Sequence, residues 1–293
     1  MVHEIQTVNA ENDSAVDHLN PDAGAFLGAF MSEGNLTEKL SIKITCKNIN
    51  FIKSATESIR NILGDAAATR LPPTPEHQDG EEGFHKYYSV HVARFLISSY
   101  GVVPGRRVLV NSGLPTVIMN NKTDECSKEW LRRYLQMRLS GDGHVRNTIS
   151  AGKCGPIITR RVCLTRCLAL DIDNDLSELV KINFGKNKPI RNYPEDLVER
   201  LKTVMKSENS FPKEFLDIRR LLLELFEIES KIYPYGLRCI YFDKKRKRYI
   251  ASAIYKLIIS RMGDIIRFQN KINFPDFDSK NREKLLKLIA SYK

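Results

Sequence analysis

The stretch DAGAFLGAFMSEG, Asp22 to Gly34, decides how the rest of the chain is read. Gly24, Gly28 and Ser32 recur every four residues, so on a helix they stack and leave one face nearly bare of side chains. A second helix can approach such a face closely. The run closes with Glu33 and Gly34, an acid followed by a residue that lets the chain turn sharply out of a helix. The same pattern returns in KEWLRRYLQMRLSGDG, Lys128 to Gly143, which ends in a small residue, the carboxylate Asp142 and a glycine. Packed through Gly24, Gly28 and Ser32 on one side and Met137 and Gly141 on the other, the two helices would bring Glu33 and Asp142 together between two similar halves. Paired carboxylates suit a hard divalent cation, whose remaining ligands are water and phosphate.

Each helix is followed by strand signals. LSIKITCK, residues 40–47, alternates strictly, with Leu40, Ile42, Ile44 and Cys46 on one face and Ser41, Lys43, Thr45 and Lys47 on the other. It reads as a half-buried strand with a basic outer face. NINFIKSATESIRNILG, residues 48–64, has helical spacing with Gly64 as its cap, and the Pro-rich acidic stretch 71–83 reads as a loop. KYYSVHVA, residues 86–93, alternates again, and RFLISSYG looks helical. In the second half ITRRVCLTRCLAL supplies a basic strand, and GLRCIYFDKKRKRYIASAIYKLII a hairpin whose turn is DKKRKR. Tyr88, Val90 and Val92 recur as Tyr255, Leu257 and Ile259, each trio preceding an apolar helix. The expected organisation is therefore a loose tail at 1–20, a first repeat at 21–120, and a second at 121–293 enlarged by extra helices at about 184–231.

Composition agrees with a polyanionic partner. Among 293 residues, 46 Lys and Arg against 35 Asp and Glu give a net charge of +11. The six cysteines show no CxxC pairing and mostly sit in apolar runs, which points to buried thiols in a reducing compartment. No apolar run approaches the roughly 18 residues of a membrane span, and the polar start is neither a signal nor a transit peptide. A soluble intracellular protein, cytoplasmic or organellar, is expected. The histidines lack HxxxH or HExxH spacing, which argues against a zinc site; His144, just after the second motif, reads equally as lining the site or as a surface histidine.

FLGAFMSEG (Phe26–Gly34) and LQMRLSGDG (Leu135–Gly143) resemble the nine-residue signature of the LAGLIDADG homing endonucleases. Met31 and Ser140 stand where the signature has its first acid, and Met137 where it has a small residue. The penultimate acid is kept in both. Residues 259–288 resemble the family's closing helix, turn and lysine-bearing helix, so the likeness runs from about 22 to 290. It implies an α+β, duplicated αββαββα fold in a pseudo-two-fold monomer, with a β saddle over DNA. It implies a site-specific double-strand endonuclease using Mg²⁺, with Mn²⁺ as a substitute, held by Glu33 and Asp142 beside Gly34 and Gly143. A basic residue is expected beside each metal site: Lys47 in the first half, Arg166 or Lys280 in the second.

The outward strand positions Ser41, Lys43, Thr45, Arg160, Arg161 and Arg238, with the turn Lys244, Lys245, Arg246, Lys247 and Arg248, are the expected DNA contacts, since a β-ribbon fits the major groove. Met137 must be accommodated opposite Gly28. The start at Met1 without an intein's splicing residues favours a free-standing or intron-encoded protein. The alternative is a non-cutting intron RNA maturase or DNA-binding regulator on the same fold.

Overall fold

The computed structural model describes residues 19–68, 77–79, 83–105, 110–121, 125–152, 155–171, 195–243 and 247–292. Residues 1–18 of the expected tail, 184–194 of the expected extra helices, and Lys244, Lys245 and Arg246 lie outside them. The first half contains α1 (Pro21–Glu33), β1 (Gly34–Leu36), β2 (Ile42–Cys46), α2 (Ile49–Ala68), β3 (His77–Asp79), β4 (Gly83–Tyr88) and α3 (Val90–Tyr100). After the short α4 (Thr116–Asn120), the second contains α5 (Glu125–Asp142), β5 (Gly143–Gly152), β6 (Gly155–Asp171), α6 (Glu195–Lys206), α7 (Lys213–Phe226), β7 (Lys231–Asp243), β8 (Arg248–Ile259), α8 (Met262–Lys271) and α9 (Ser279–Ala290). Each half folds as helix, two strands, helical connection, two strands, helix. The fold is α+β and duplicated.

The duplication extends to strand order. Both sheets are four-stranded and antiparallel, in the orders β1-β2-β4-β3 and β5-β6-β8-β7. Gly34 pairs with Ile44 and Gly143 with Leu164, so the two motif glycines enter their sheets at equivalent places. The residues flanking that pairing behave alike. Ile42 and Ile44 are fully buried, as are Val162 and Leu164 to within 2%.

α1 starts where Asn20 accepts a hydrogen bond from the Asp22 amide at 2.9 Å and Pro21 supplies a preset φ in the first turn. Its residues from Ala23 to Phe30 are buried on all sides, with Phe26 edge-on to Tyr88 at 5.3 Å. A helix so enclosed is the core of the molecule rather than its surface. Its partner is α5. A Cβ on Gly24 would run into the carbonyl oxygen of Trp130, and one on Gly28 into that of Tyr134. The helices therefore meet backbone to backbone. Met137 is buried but is not what faces Gly28; its sulphur accepts from Ser54 Oγ of α2 at 3.8 Å, so the long side chain is lodged beside the crossing rather than in it.

Several local expectations need correction. KYYSVHVA is not one strand: β4 stops at Tyr88, Ser89 is extended, and Val90 begins α3. The alternation of Val90 and Val92 is the start of a helical stripe that continues through Ala93, Phe95 and Leu96. By pairing, Tyr88 opposes Ile42 as Ile259 opposes Val162, so Tyr88 corresponds to Ile259 and not to Tyr255. The expected 71–83 loop contains β3, which pairs with β4. Gly64, at φ 78°, breaks α2 but helix resumes to Ala68. Cys126 is exposed, Cys163 is buried, Cys46 and Cys167 are half-buried, and all four are free thiols. Among the described residues no helix is long and apolar enough to cross a membrane.

Because a methyl group at Gly28 has no room without separating the helices, Gly28→Ala should destabilise the fold by about 1–3 kcal/mol, the usual cost of overpacking. Thermal and urea denaturation of the variant would measure this, and an unchanged midpoint would mean that the crossing is looser than described.

Candidate active site

Glu33 is the last residue of α1 and Asp142 the last of α5. Both are half-buried. A Cβ on Gly141 would lie 3.3 Å from Glu33 Cγ and would collide with Ser32, so the two helix ends converge on one point. Ser32 turns its hydroxyl inward, donating to the carbonyls of Gly28 at 3.1 Å and Ala29 at 3.0 Å. Cys46, at the end of β2, registers both acids: burial pushes its thiol up, and the charges of Glu33 and Asp142 push it further. A thiol held protonated is a poor metal ligand.

Asp142 borders a cleft of about 270 Å³ that is also lined by Ser32, Thr165 and three guanidinium groups, those of Arg138, Arg166 and Arg238. Two of these arginines are paired to Glu214, and the cleft keeps a net positive charge beside Asp142, which favours a phosphate group. Among the described residues no cluster of three or more His, Cys, Asp and Glu is assembled. Glu33 and Asp142 on their own fit a Mg²⁺-type site, in which two carboxylates supply the protein ligands and water and phosphate complete the shell. They lack the histidine and cysteine ligands from which zinc sites are mainly built.

The basic candidates fall in different places. Lys47 is exposed, directly after Cys46. Arg166 is not its counterpart. Since Ile44 and Leu164 are equivalent in register, Arg166 matches Cys46 and Cys167 matches Lys47. One residue of offset puts a strand side chain on the opposite face. Arg166 is accordingly buried, donating from Nη1 to Glu214 and from Nη2 to the Val110 carbonyl at 2.9 Å. Lys280 is exposed in the first turn of α9, and it is Lys284, one turn on, whose charge reaches His144.

Reasoning from sequence missed Arg138 and Glu214. Arg138 is 2% exposed; it donates from Nη1 to Asp142 and from Nε to Glu214 Oε1 at 2.9 Å. Glu214 lies fully buried on α7 and also accepts from Tyr134 Oη at 2.7 Å. Burial works against its charged form, yet Arg138 and Arg166 outweigh this and bring its carboxyl down to about 2. The signal was present in the spacing. Arg138 falls between Leu135 and Leu139 on an apolar stripe, and Glu214 precedes Phe215, Ile218, Leu221 and Leu222 on another. A charge on a buried stripe requires a buried partner.

Of the expected nucleic-acid contacts, Lys43 and Thr45 share the face of β2 opposite its buried isoleucines, with Ser41 just before the strand; Lys43 Nζ is 5.9 Å from the Tyr87 ring centre, and Thr45 Oγ1 is 2.9 Å from His85 Nδ1. Arg161 lies half-buried on the matching face of β6, and Arg238 is exposed on β7. Arg160 is held elsewhere, donating to the Ser291 carbonyl at 2.6 Å with its guanidinium 4.5 Å from the Tyr292 ring centre. Lys247 is exposed in the β7–β8 turn at φ 51°, and the Arg248 backbone pairs with Asp243. Lys256, unforeseen, sits 3.4 Å from the Tyr235 ring centre beside Thr165.

No family model and no curated protein matches the chain. Among solved structures it is similar to the I-SmaMI LAGLIDADG homing endonuclease bound to cleaved DNA, at 9% identity over 94% of this chain and 97% of that one, with a TM-score of 0.37. Meganuclease I-SmaMI bound to uncleaveable DNA with a TTGT central four gives 10% identity, 93% and 90% coverage and a TM-score of 0.38. LAGLIDADG meganuclease I-CpaMI bound to uncleaved DNA gives 12%, 92% and 98%, and 0.34.

His144 offers a probe of this surface. Burial lowers its pKa, and the charges of Lys256, Arg161, Arg146 and Lys284 lower it further. The unfolded chain therefore takes up the extra proton first, and the histidine's contribution to stability, complete above its unfolded pKa, is lost as pH falls through the folded one. Duplex DNA on this face would cancel the cations' field. In imidazole NMR titrations His144 should protonate below the usual histidine range without DNA and at higher pH with it; no movement on DNA addition would exclude this strand face from contact.

Proposed function

We propose that this chain is a single-chain homing endonuclease of the LAGLIDADG type, cutting both strands of a long, specific duplex DNA site. The observation that carries the reading is the convergence of Glu33 and Asp142 at the crossing of two signature-like helices, each leading into a sheet of the same strand order. A monomer built this way offers a saddle of two sheets to the duplex. Glu33 and Asp142, beside Gly34 and Gly143, would hold Mg²⁺, or Mn²⁺ in its stead. The metal would supply a polarised phosphodiester and a more acidic water.

The chain's own groups do the rest. Arg238, which borders the Asp142 cleft while Arg138 and Arg166 are tied to Glu214, and the exposed Lys47 stabilise negative charge gathering on the phosphate, because charge held in a partly buried cleft is screened less than in water. Ser41, Lys43, Thr45, Arg161 and Arg238 face the grooves, where polar side chains can reach base edges. Phosphate contacts by lysines of the strands and the β7–β8 turn add affinity that weakens with salt.

One observation favours a second reading. Arg138 occupies an oxygen of Asp142, as expected if the chain binds DNA, or intron RNA, without cutting. Cleavage of a genomic duplex library with Mg²⁺ decides between them. The wild type should cut at one long site, and Glu33→Gln or Asp142→Asn should lower that activity by at least about a hundredfold, the scale of losing a charge-stabilising group. Specific binding without cutting would establish the regulator, and binding of structured intron RNA alone the maturase.

A further inference from the structure

The outward face of the second sheet gathers positive charge without an answering acid. Arg146 of β5 stands directly opposite Arg161 of β6, and His144 stands opposite Cys163. Like charges facing each other across a strand pair weaken it. Lys256 of β8, opposite Thr165, is 7% exposed, with the Tyr235 ring centre 3.4 Å from its Nζ. The three cations converge, since His144 and Cys163 each feel the charges of all of them. Among the described residues no carboxylate pairs with any of the three; Arg146 Nε donates to Thr148 Oγ1 at 3.3 Å, and Arg161 Nε is buried without an acceptor. Bulk water would satisfy an open strand face. A buried N–H without an acceptor is costly, and the group that suits it here is an oxyanion.

The first half does not repeat this set. Gly34 matches Gly143 and Ile44 matches Leu164, so Thr37 stands at the place of Arg146, Ser41 at that of Arg161 and His85 at that of Lys256. In the other direction Lys43 takes the place of Cys163. Three cations in one sheet thus answer to one in the other at these positions. Building on the duplex-binding reading above, we propose that Arg146, Arg161 and Lys256 form a seat for backbone phosphate that makes the second sheet the anchor of the duplex, with the first sheet adding its contacts to DNA already held. The five donors of Arg161 let it hold a phosphate and still reach a base edge. Affinity supplied by such a seat falls with salt and is indifferent to sequence.

The test is fluorescence anisotropy of the full chain on a labelled duplex of mixed sequence, across a range of salt, with chelator present so that nothing is cut. Arg146→Gln, Arg161→Gln and Lys256→Gln should each lower the slope of log affinity against log salt by about 0.9, the value of one phosphate contact. The triple variant should lose about three times what Lys43→Gln loses. Arg146→Lys, which keeps the charge, should hold the wild-type slope, and so should Lys128→Gln, which removes an exposed cation near the end of α5 remote from Asp142. Thermal melts check folding; where a glutamine variant does not fold, methionine keeps the stem and removes the charge. A folded triple variant whose slope falls no further than that of Lys43→Gln or Lys128→Gln would overturn the anchor and leave the duplex-binding reading standing. A wild type without salt-dependent affinity for the duplex would sink both.

Discussion

The structure depends on the contact between the backbones of α1 and α5. Gly24 and Gly28 have no side chain at the crossing, and the carbonyl oxygens of Trp130 and Tyr134 occupy the space a Cβ would take. Close packing of this kind tolerates little adjustment, since protein interiors are as dense as organic crystals. The crossing therefore determines where each helix ends. Because both helices run directly into the first strand of a sheet, it also determines how the two sheets sit about the acids at their junction.

Duplication then brings chemistry to the axis. Gly34 and Gly143 pair with equivalent residues of the neighbouring strands, so Glu33 and Asp142 reach the junction by the same route. Neither half by itself holds two carboxylates there. The two motif helices are nonetheless unlike. Four residues before the acid, α1 has Ala29 and α5 has Arg138, and the buried partner of Arg138, Glu214, lies 76 residues further along the chain. The helices of the second half that looked like additions in the sequence thus include the one that braces its site.

The fold was legible because its signals are local. Four-residue spacing of small side chains, strict alternation in LSIKITCK and the repeated acid and glycine each fit within about a dozen residues, and each became an element at that place. Errors arose where two periodicities overlap. Val90 and Val92 satisfy both a strand's alternation and the start of a helical stripe, and the apolar run continuing to Leu96 decided for the helix. Register was also out of reach. Aligning Arg166 with Lys47 by position after an apolar strand differed by one residue from the pairing observed, and one residue is the difference between the outer face and the core.

The sequence by itself determined the duplication, the bare helix face, the two acids at the helix ends and the basic strands, because spacing along a helix or strand dictates which side chains share a face. Only the tertiary structure decided that Met137 lies beside Ser54 rather than across from Gly28, that Arg160 is tied to the chain's last turn, and that Arg138, Glu214 and Arg166 form one buried network against Asp142. Pairing of buried charges is a matter of distance in space, and residues 138 and 214 are brought together by packing that no local pattern encodes.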